Sequence, residues 1–254
     1  MLAEVLTSSL LTNAGFAHGF ATRRGGVSPA PFDSLNFRVA GEETRESVGE
    51  NLLRLSAEVG FSPGLLYLVD QVHGSRVYIA DGESPRAGRN EADAIILSEG
   101  RTGGIRVADC VPILVGDLVS GRAAAVHAGW RGIEAGVIGA ALSALGDSRS
   151  MRVAALGPCI GPCCFEVGVD VAPRIAHAAG DPDVIVRRTG DKAYVDLRLA
   201  ARAQLRAYGV AAGDVEAVGG CTKCDSERYF SFRRDGAKSG RHLAVIRAKA
   251  ADAG

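Results

Sequence analysis

An α+β fold in a single domain, with a mixed β-sheet and packed helices, follows from three features of the 254-residue sequence. Apolar runs of strand character come in succession as well as in alternation with helical segments, unlike the strict alternation of a doubly wound protein. A hydrophobic content of 47% fills a sizeable core. No repeat, low-complexity tract or Pro/Ser-rich linker divides the chain, so residues 1–254 read as one domain.

The elements follow in order. Gly41–Gly60 carries Val48, Leu52, Leu55 and Val59 at the spacing of an amphipathic helix, and Gly60 stops it. LLYLVDQVHGSRVYIAD, from Leu65, alternates like a strand with His73-Gly74 at a turn or bulge, and EADAIILS is another short strand. GIRVADCVPILVGD and GRAAAVHAGW are two more. IEAGVIGAALSALG is an Ala-rich apolar helix weakened by internal glycines. MRVAALGP reads as strand, VDVAPRIAHAAG as helix with Pro173 near its start, KAYVDLRLAARAQLRAYGV as strand into helix, and RHLAVIRAK as a last strand.

Charge narrows the partners. Twenty-nine basic residues balance twenty-nine acidic ones, so no broad field favours nucleic acid or an anionic membrane, and a small ligand is expected. The N-terminus lacks the basic stretch of a signal peptide, and no segment reaches the roughly 18 apolar residues of a membrane span. A cytoplasmic location is expected, where six cysteines serve as thiols, ligands or nucleophiles rather than disulfides. The oligomeric state is left open.

The chemistry converges on VADCVPILV, an apolar run interrupted by Asp109-Cys110. DLVSGR reads as a hairpin loop, and pairing about its centre sets His127 opposite Pro112 and Cys110 close to Gly129. Pro112, unable to donate, marks an edge or bulge. His127 opens HAGWRG, a strand running into a small-residue turn and a helix, with Arg131 as a fixed cation. His73 also stands at a strand end beside glycine. Two histidines and one cysteine make a three-ligand zinc site with an open fourth position. Two competing readings stay open: buried structural residues, and a cysteine nucleophile at Cys110 with His127 as base and Asp109 as orienter. Asp109 points to the opposite strand face from Cys110, which weakens its part in such a triad.

HGFATRRGGVS, SLNF, DQVHGSRV, EADAIIL, VADCVPILV, AAVHAGWRG, ALGPCIGPCCFEVG, CTKCDSERYFSFRRDG and GRHLAVI occur in order along nearly the whole chain. Together they resemble the YfiH/YlmD-like proteins, a family with a human member called laccase domain-containing protein 1 and formerly labelled multicopper polyphenol oxidases. The resemblance implies zinc on His73, Cys110 and His127, and catalysis at these residues: phosphorolysis of adenosine, inosine, guanosine and methylthioadenosine, and deamination of adenosine. It implies a mixed α/β domain of a type shared with certain bacterial toxin catalytic domains, those of the cytotoxic necrotizing factor. Purine nucleosides and phosphate would then be the partners.

The residues judge the older label. A multicopper oxidase needs a blue copper centre and a three-copper cluster fed by imidazoles, and this chain has five His and two Met. A single His2Cys set resembles the core of a blue copper centre, so copper can occupy it adventitiously, divalent copper binding such ligands more tightly than zinc, and the copper-dependent polyphenol oxidase stands as the weaker alternative. For phosphate or ribose the candidates are Arg23, Arg131 and Arg233, with Arg234 and Arg241 in the same SFRRDGAKSGR stretch; Asn36 and Gln71 are the candidates for orienting sugar or base. GPCIGPCC and CTKC offer the two halves of a four-Cys site, but only the second has tight C-x2-C spacing, and a rigid packed loop with one cysteine lining the pocket is the favoured reading. His177 reads as structural, and His242 has no assigned role.

Overall fold

Ile95 and Leu97 project to one side of their strand and Ala94 and Ile96 to the other, and all four are buried, so this segment needs a covering layer on both faces. The computed structural model, which describes residues 2–39, 43–81, 90–146 and 151–250, meets that need with two stacked mixed sheets flanked by helices. One has six strands in the order Val215–Ala217, Arg152–Leu156, Val111–Asp117, Ala123–Ala128, Ala94–Leu97 and Val77–Ala80, parallel at its two outer pairs and antiparallel within. The other has five, Val5–Leu6, His18–Ala21, His242–Arg247, Thr102–Val107 and Leu66–Tyr67, with only the last pair parallel.

Phe20, Ile95, Leu97, Ile105, Leu114 and Ile246 fill the space between the sheets. Gly103 permits their close approach: a Cβ there would lie 2.9 Å from a methyl of Leu97. The outer face of the six-stranded sheet presents Ile96, Ile113 and Val126 to Ile138, Ile175 and Leu205, from the helices Val137–Leu145, Val171–Ala179 and Leu197–Ala207. The helix Arg45–Val59 covers the other sheet through Leu55, against Leu66, Leu243 and Val245. A small antiparallel sheet of Glu166–Gly168, Lys192–Val195 and Ile185–Thr189 completes the α+β architecture. Among the described residues no helix is long and apolar enough to cross a membrane.

The elements differ from expectation where polar residues interrupt an apolar run. The expected helix start at Gly41 lies outside the described residues; Thr44 caps Ser47 N through its side chain, and Gly60 ends the helix at φ 83° as expected. LLYLVDQVHGSRVYIAD is two strands in different sheets, separated by the turn at His73. GIRVADCVPILVGD is also two, Thr102–Val107 and Val111–Asp117, one in each large sheet. IEAGVIGAALSALG breaks at Gly136, whose φ of 79° separates Trp130–Glu134 from Val137–Leu145. Pro112 sits in an interior strand rather than at an edge. Its carbonyl accepts from Gly157 N just beyond the last pair Ile113–Leu156, and the reciprocal bond that proline cannot give is replaced at the Gly157 carbonyl by the Arg198 guanidinium.

Ile113 is fully buried on the central strand. Ile113→Ala is expected to cost about 2–5 kcal/mol in denaturant unfolding, because the helices above it close the cavity only in part.

Candidate active site and metal centre

The chain passes from the five-stranded sheet to the six-stranded one through Ala108, Asp109 and Cys110. That crossing explains the polar interruption of VADCVPILV. Asp109 takes a φ of 85°, a left-handed conformation that its short polar side chain tolerates. Its carboxylate accepts from Thr222 Oγ1 and Arg233 N, both at 2.6 Å, and its carbonyl accepts from Ile160 N at 2.9 Å. Asp109 thus braces the bend and does not orient His127. Cys110 emerges at the mouth between the sheets.

The hairpin register is as expected, with Pro112 opposite His127 and Val111 opposite Ala128. Gly129 then lies against Cys110: a Cβ on it would stand 2.9 Å from Cys110 Sγ and 3.2 Å from His73 Cδ2. His73 reaches the same point from a turn at φ 60°, and its ring meets that of His127 edge-on, 4.8 Å between centroids at 74°. The ligand atoms of His73, Cys110 and His127 lie within 4.8 Å of one another.

Asp93 holds both histidines and was not singled out in the sequence. It is fully buried at the head of the Ala94–Leu97 strand. Its carboxylate accepts from His73 N at 2.9 Å, Gly74 N at 2.7 Å and His127 Nδ1 at 2.8 Å, while its carbonyl accepts from His127 N. An ionised carboxylate only accepts, so Nδ1 of His127 carries the proton and Nε2 turns toward Cys110. Burial alone would raise the Asp93 carboxyl; the His127 bond and the two backbone donors bring it below its ordinary value.

Cys110 and His127 shift as a pair. Burial opposes ionisation of the thiol, but the charge and hydrogen bonds of His127 and His73 bring it down to about 6. Burial likewise disfavours the imidazolium, yet Cys110 and Asp93 raise His127 to about 9. The two shifts favour charge on both partners, and a divalent cation would take the place of the proton between them. The donor set of two imidazoles and a thiolate, one imidazole oriented by a carboxylate, fits zinc, and the exposed side of His73 leaves room for a fourth ligand.

These residues line a cleft of 540 Å³, within the roughly 300–1,000 Å³ of small-molecule sites. Arg38, Arg106, Arg131, Arg233 and Arg241 also face it. Arg131 lies over Trp130, Arg233 over Phe165 and Arg241 over Phe232. Arg106 Nε is buried with no hydrogen-bond partner, and burial lowers the pKa of its guanidinium. Arg38 and Arg106 escaped the sequence reading because neither lies beside a glycine turn.

Other expected residues are placed differently. Arg23 is outside the cleft, donating to the carbonyls of Asp33 and Ser226 and lying over Phe230. Asn36 is also outside and fully buried, but its Oδ1 accepts from Arg38 N and Arg241 N and so fixes two cleft arginines. Gln71 lines the cleft with its amide engaged at both ends by the Arg106 backbone. Arg234 grips Asp235 and the carbonyls of Thr222, Lys223 and Tyr229. Of the five histidines only His73 and His127 converge; His18 bonds Ser8 N and Phe16 O, and His242 bonds Phe230 N. In place of a packed loop with one cysteine lining the pocket, Cys163, Cys164, Cys221 and Cys224 cluster outside the cleft, and Cys110 is the cysteine that lines it.

A family model described as multi-copper polyphenol oxidoreductase laccase matches residues 17–249. Purine nucleoside phosphorylase YfiH of Escherichia coli K12 is 36% identical over 223 residues, 87% of this chain and 89% of that one. This chain belongs to the YfiH family. A purine nucleoside phosphorylase of Deinococcus radiodurans is 38% identical over 240 residues, 92% of this chain and 90% of that one. Among solved structures, YlmD of Geobacillus stearothermophilus superposes with a TM-score of 0.86 at 28% identity, covering 98% of both chains. The YfiH family therefore carries both a laccase name and purine nucleoside phosphorylase names, and the imidazole supply here does not extend to a multicopper cluster.

Asp93→Asn keeps the shape but weakens the hold on both histidines. It is expected to lower metal affinity about 10- to 100-fold in a chelator competition, and to lower the thermal unfolding midpoint of the metal-free protein because the amide NH2 faces a buried donor.

Proposed function

We propose that this chain is a zinc-dependent purine nucleoside phosphorylase, splitting adenosine, inosine, guanosine and methylthioadenosine into base and ribose 1-phosphate or its methylthio analogue, and that it also deaminates adenosine. The observation that carries the reading is the convergence of five arginines, one with a buried unpartnered Nε, on the cleft that holds His73, Cys110 and His127. Such a field suits inorganic phosphate and not a neutral phenol. The names of the relatives, purine nucleoside phosphorylases from several bacteria, point the same way.

In phosphorolysis a phosphate oxygen bonds to the ribose anomeric carbon while the bond to purine N9 breaks, and the departing base takes up a proton. Arg106 and its cleft neighbours bind and orient the phosphate and hold its charge as the sugar becomes cationic. Trp130, Phe165 and Phe232 line the same cleft and offer apolar faces to the purine. Asn36 positions Arg38 and Arg241 through their backbones. His73, Cys110 and His127 would hold a zinc ion, whose Lewis acidity would suit addition of water at C6 of adenosine with loss of ammonia in deamination.

A second reading has one observation in its favour. Asp93, His127 and Cys110 form a carboxylate, imidazole and thiol relay of the kind used by cysteine hydrolases, with Asp93 in the place assigned above to Asp109. His73 separates the two. As a metal ligand it is as necessary as Cys110; in a hydrolase it is dispensable and chelators do little.

Incubation of the zinc-loaded protein with adenosine is expected to release adenine and ribose 1-phosphate only when phosphate is present. His73→Ala, Cys110→Ala and His127→Ala are each expected to abolish turnover. Arg106→Ala is expected to raise the KM for phosphate about 10- to 100-fold, the loss of one charge-assisted contact, with a smaller change for adenosine. Phosphate-independent cleavage that survives His73→Ala and a chelator would overturn the proposal in favour of the cysteine hydrolase.

A further inference from the structure

Cys163, Cys164, Cys221 and Cys224 lie in two turns that face each other on the outer side of the cleft wall. The turns are joined by backbone: Cys159 pairs with Cys221, and Thr222 N donates to the Cys159 carbonyl at 3.0 Å. All four sulfurs lie within 4.8 Å of one another; those of Cys163 and Cys164 are 3.5 and 3.4 Å from Cys224 Sγ. A tetrahedron of sulfurs about 2.3 Å from a zinc ion has edges of about 3.8 Å, so a small cation fits their centre with slight relaxation.

We propose that these four cysteines form a second metal site, a tetrathiolate centre for zinc or a comparable thiophilic divalent ion, which clamps the wall of the active-site cleft. The sulfur of Cys221 already has the surroundings of a bound thiolate. Gly161 N donates to it at 3.2 Å. A backbone donor of this kind offsets part of the charge that a four-thiolate centre concentrates. Lys223 and the Arg234 guanidinium, held on the Thr222 and Lys223 carbonyls, add positive charge at the same turn.

Four thiolates this close are compatible only around a cation that balances their charge. Cys159 stands apart: it is buried and is not among the clustered sulfurs.

Position gives the centre its role. Thr222, between the two cysteines of CTKC, donates to Asp109 at 2.6 Å, and Asp109 precedes Cys110. Ile160 and Phe165, on either side of the other cysteine turn, line the cleft. A metal joining the turns therefore stiffens the bend that presents Cys110 and the wall opposite the histidines, without contacting the substrate.

The test is metal stoichiometry and cobalt spectroscopy on the reduced full chain. Native protein is expected to bind two equivalents of zinc, Cys110→Ala one, and the Cys163→Ser/Cys224→Ser variant one. Cobalt(II) added to Cys110→Ala is expected to give the intense sulfur-to-cobalt absorption and visible bands of a tetrahedral thiolate centre. Because Cys163 and Cys224 are exposed, their replacement leaves the core intact; should the variant still misfold, the cobalt spectrum of Cys110→Ala decides alone. The absence of thiolate-to-cobalt absorption in folded, reduced Cys110→Ala would overturn the proposal.

Discussion

The carboxylate of Asp93 is fully buried, and everything at the site leans on the way that burial is compensated. Four donors meet it: the backbone N–H groups of Val72, His73 and Gly74 and the ring of His127. An isolated charge in this position would cost far more than a typical domain's margin of stability. Its partners are therefore constrained as strongly as it is. The turn must keep His73 at its positive φ, and His127 must present Nε2 rather than Nδ1. One buried charge fixes the direction of two histidines drawn from different parts of the chain.

The layered architecture supplies the thiol of Cys110 and the cleft. Between Thr102–Val107 and Val111–Asp117 the chain crosses from one sheet to the other, and the crossing leaves Cys110 at a gap that strand pairing does not fill. Gly129 lets the thiol come close to both imidazoles. Around the gap the arginines come from four segments, Arg233 and Arg241 from the same stretch, and Arg131, Arg233 and Arg241 lie over aromatic faces. A chain with no net charge thereby concentrates positive charge where an anion is needed, consistent with the phosphate-using chemistry proposed above.

Much of this was legible before the fold was known. The hairpin loop DLVSGR fixed which residues face each other, so the approach of Cys110 to His127 followed from counting along two strands. The α+β class followed from successive apolar runs, although one mixed sheet became two stacked ones because a strand buried on both faces reads the same in either. Asp93 was not legible: a lone acid at the head of an apolar strand does not announce the turn that it will bind. Arg23 misled because a glycine-rich turn with arginines suggests anion binding, whereas here the guanidinium satisfies carbonyls of neighbouring loops. Asn36 and Gln71 were expected to orient sugar or base, whereas their amides are engaged by the backbone of the cleft arginines Arg38, Arg241 and Arg106. The cysteine cluster was discounted because C-x3-C-C lacks the usual spacing, and only the pairing of Cys159 with Cys221 brings its halves together.

The most direct test is a crystal structure of the zinc-loaded protein with ribose 1-phosphate, using anomalous scattering at the zinc edge. An anomalous peak bonded to His73, Cys110 and His127 Nε2, with the phosphate held by Arg106 and its cleft neighbours, is the predicted result. A metal-free triad with the ligand elsewhere, or a phosphate bound outside the arginine-lined cleft, would contradict it.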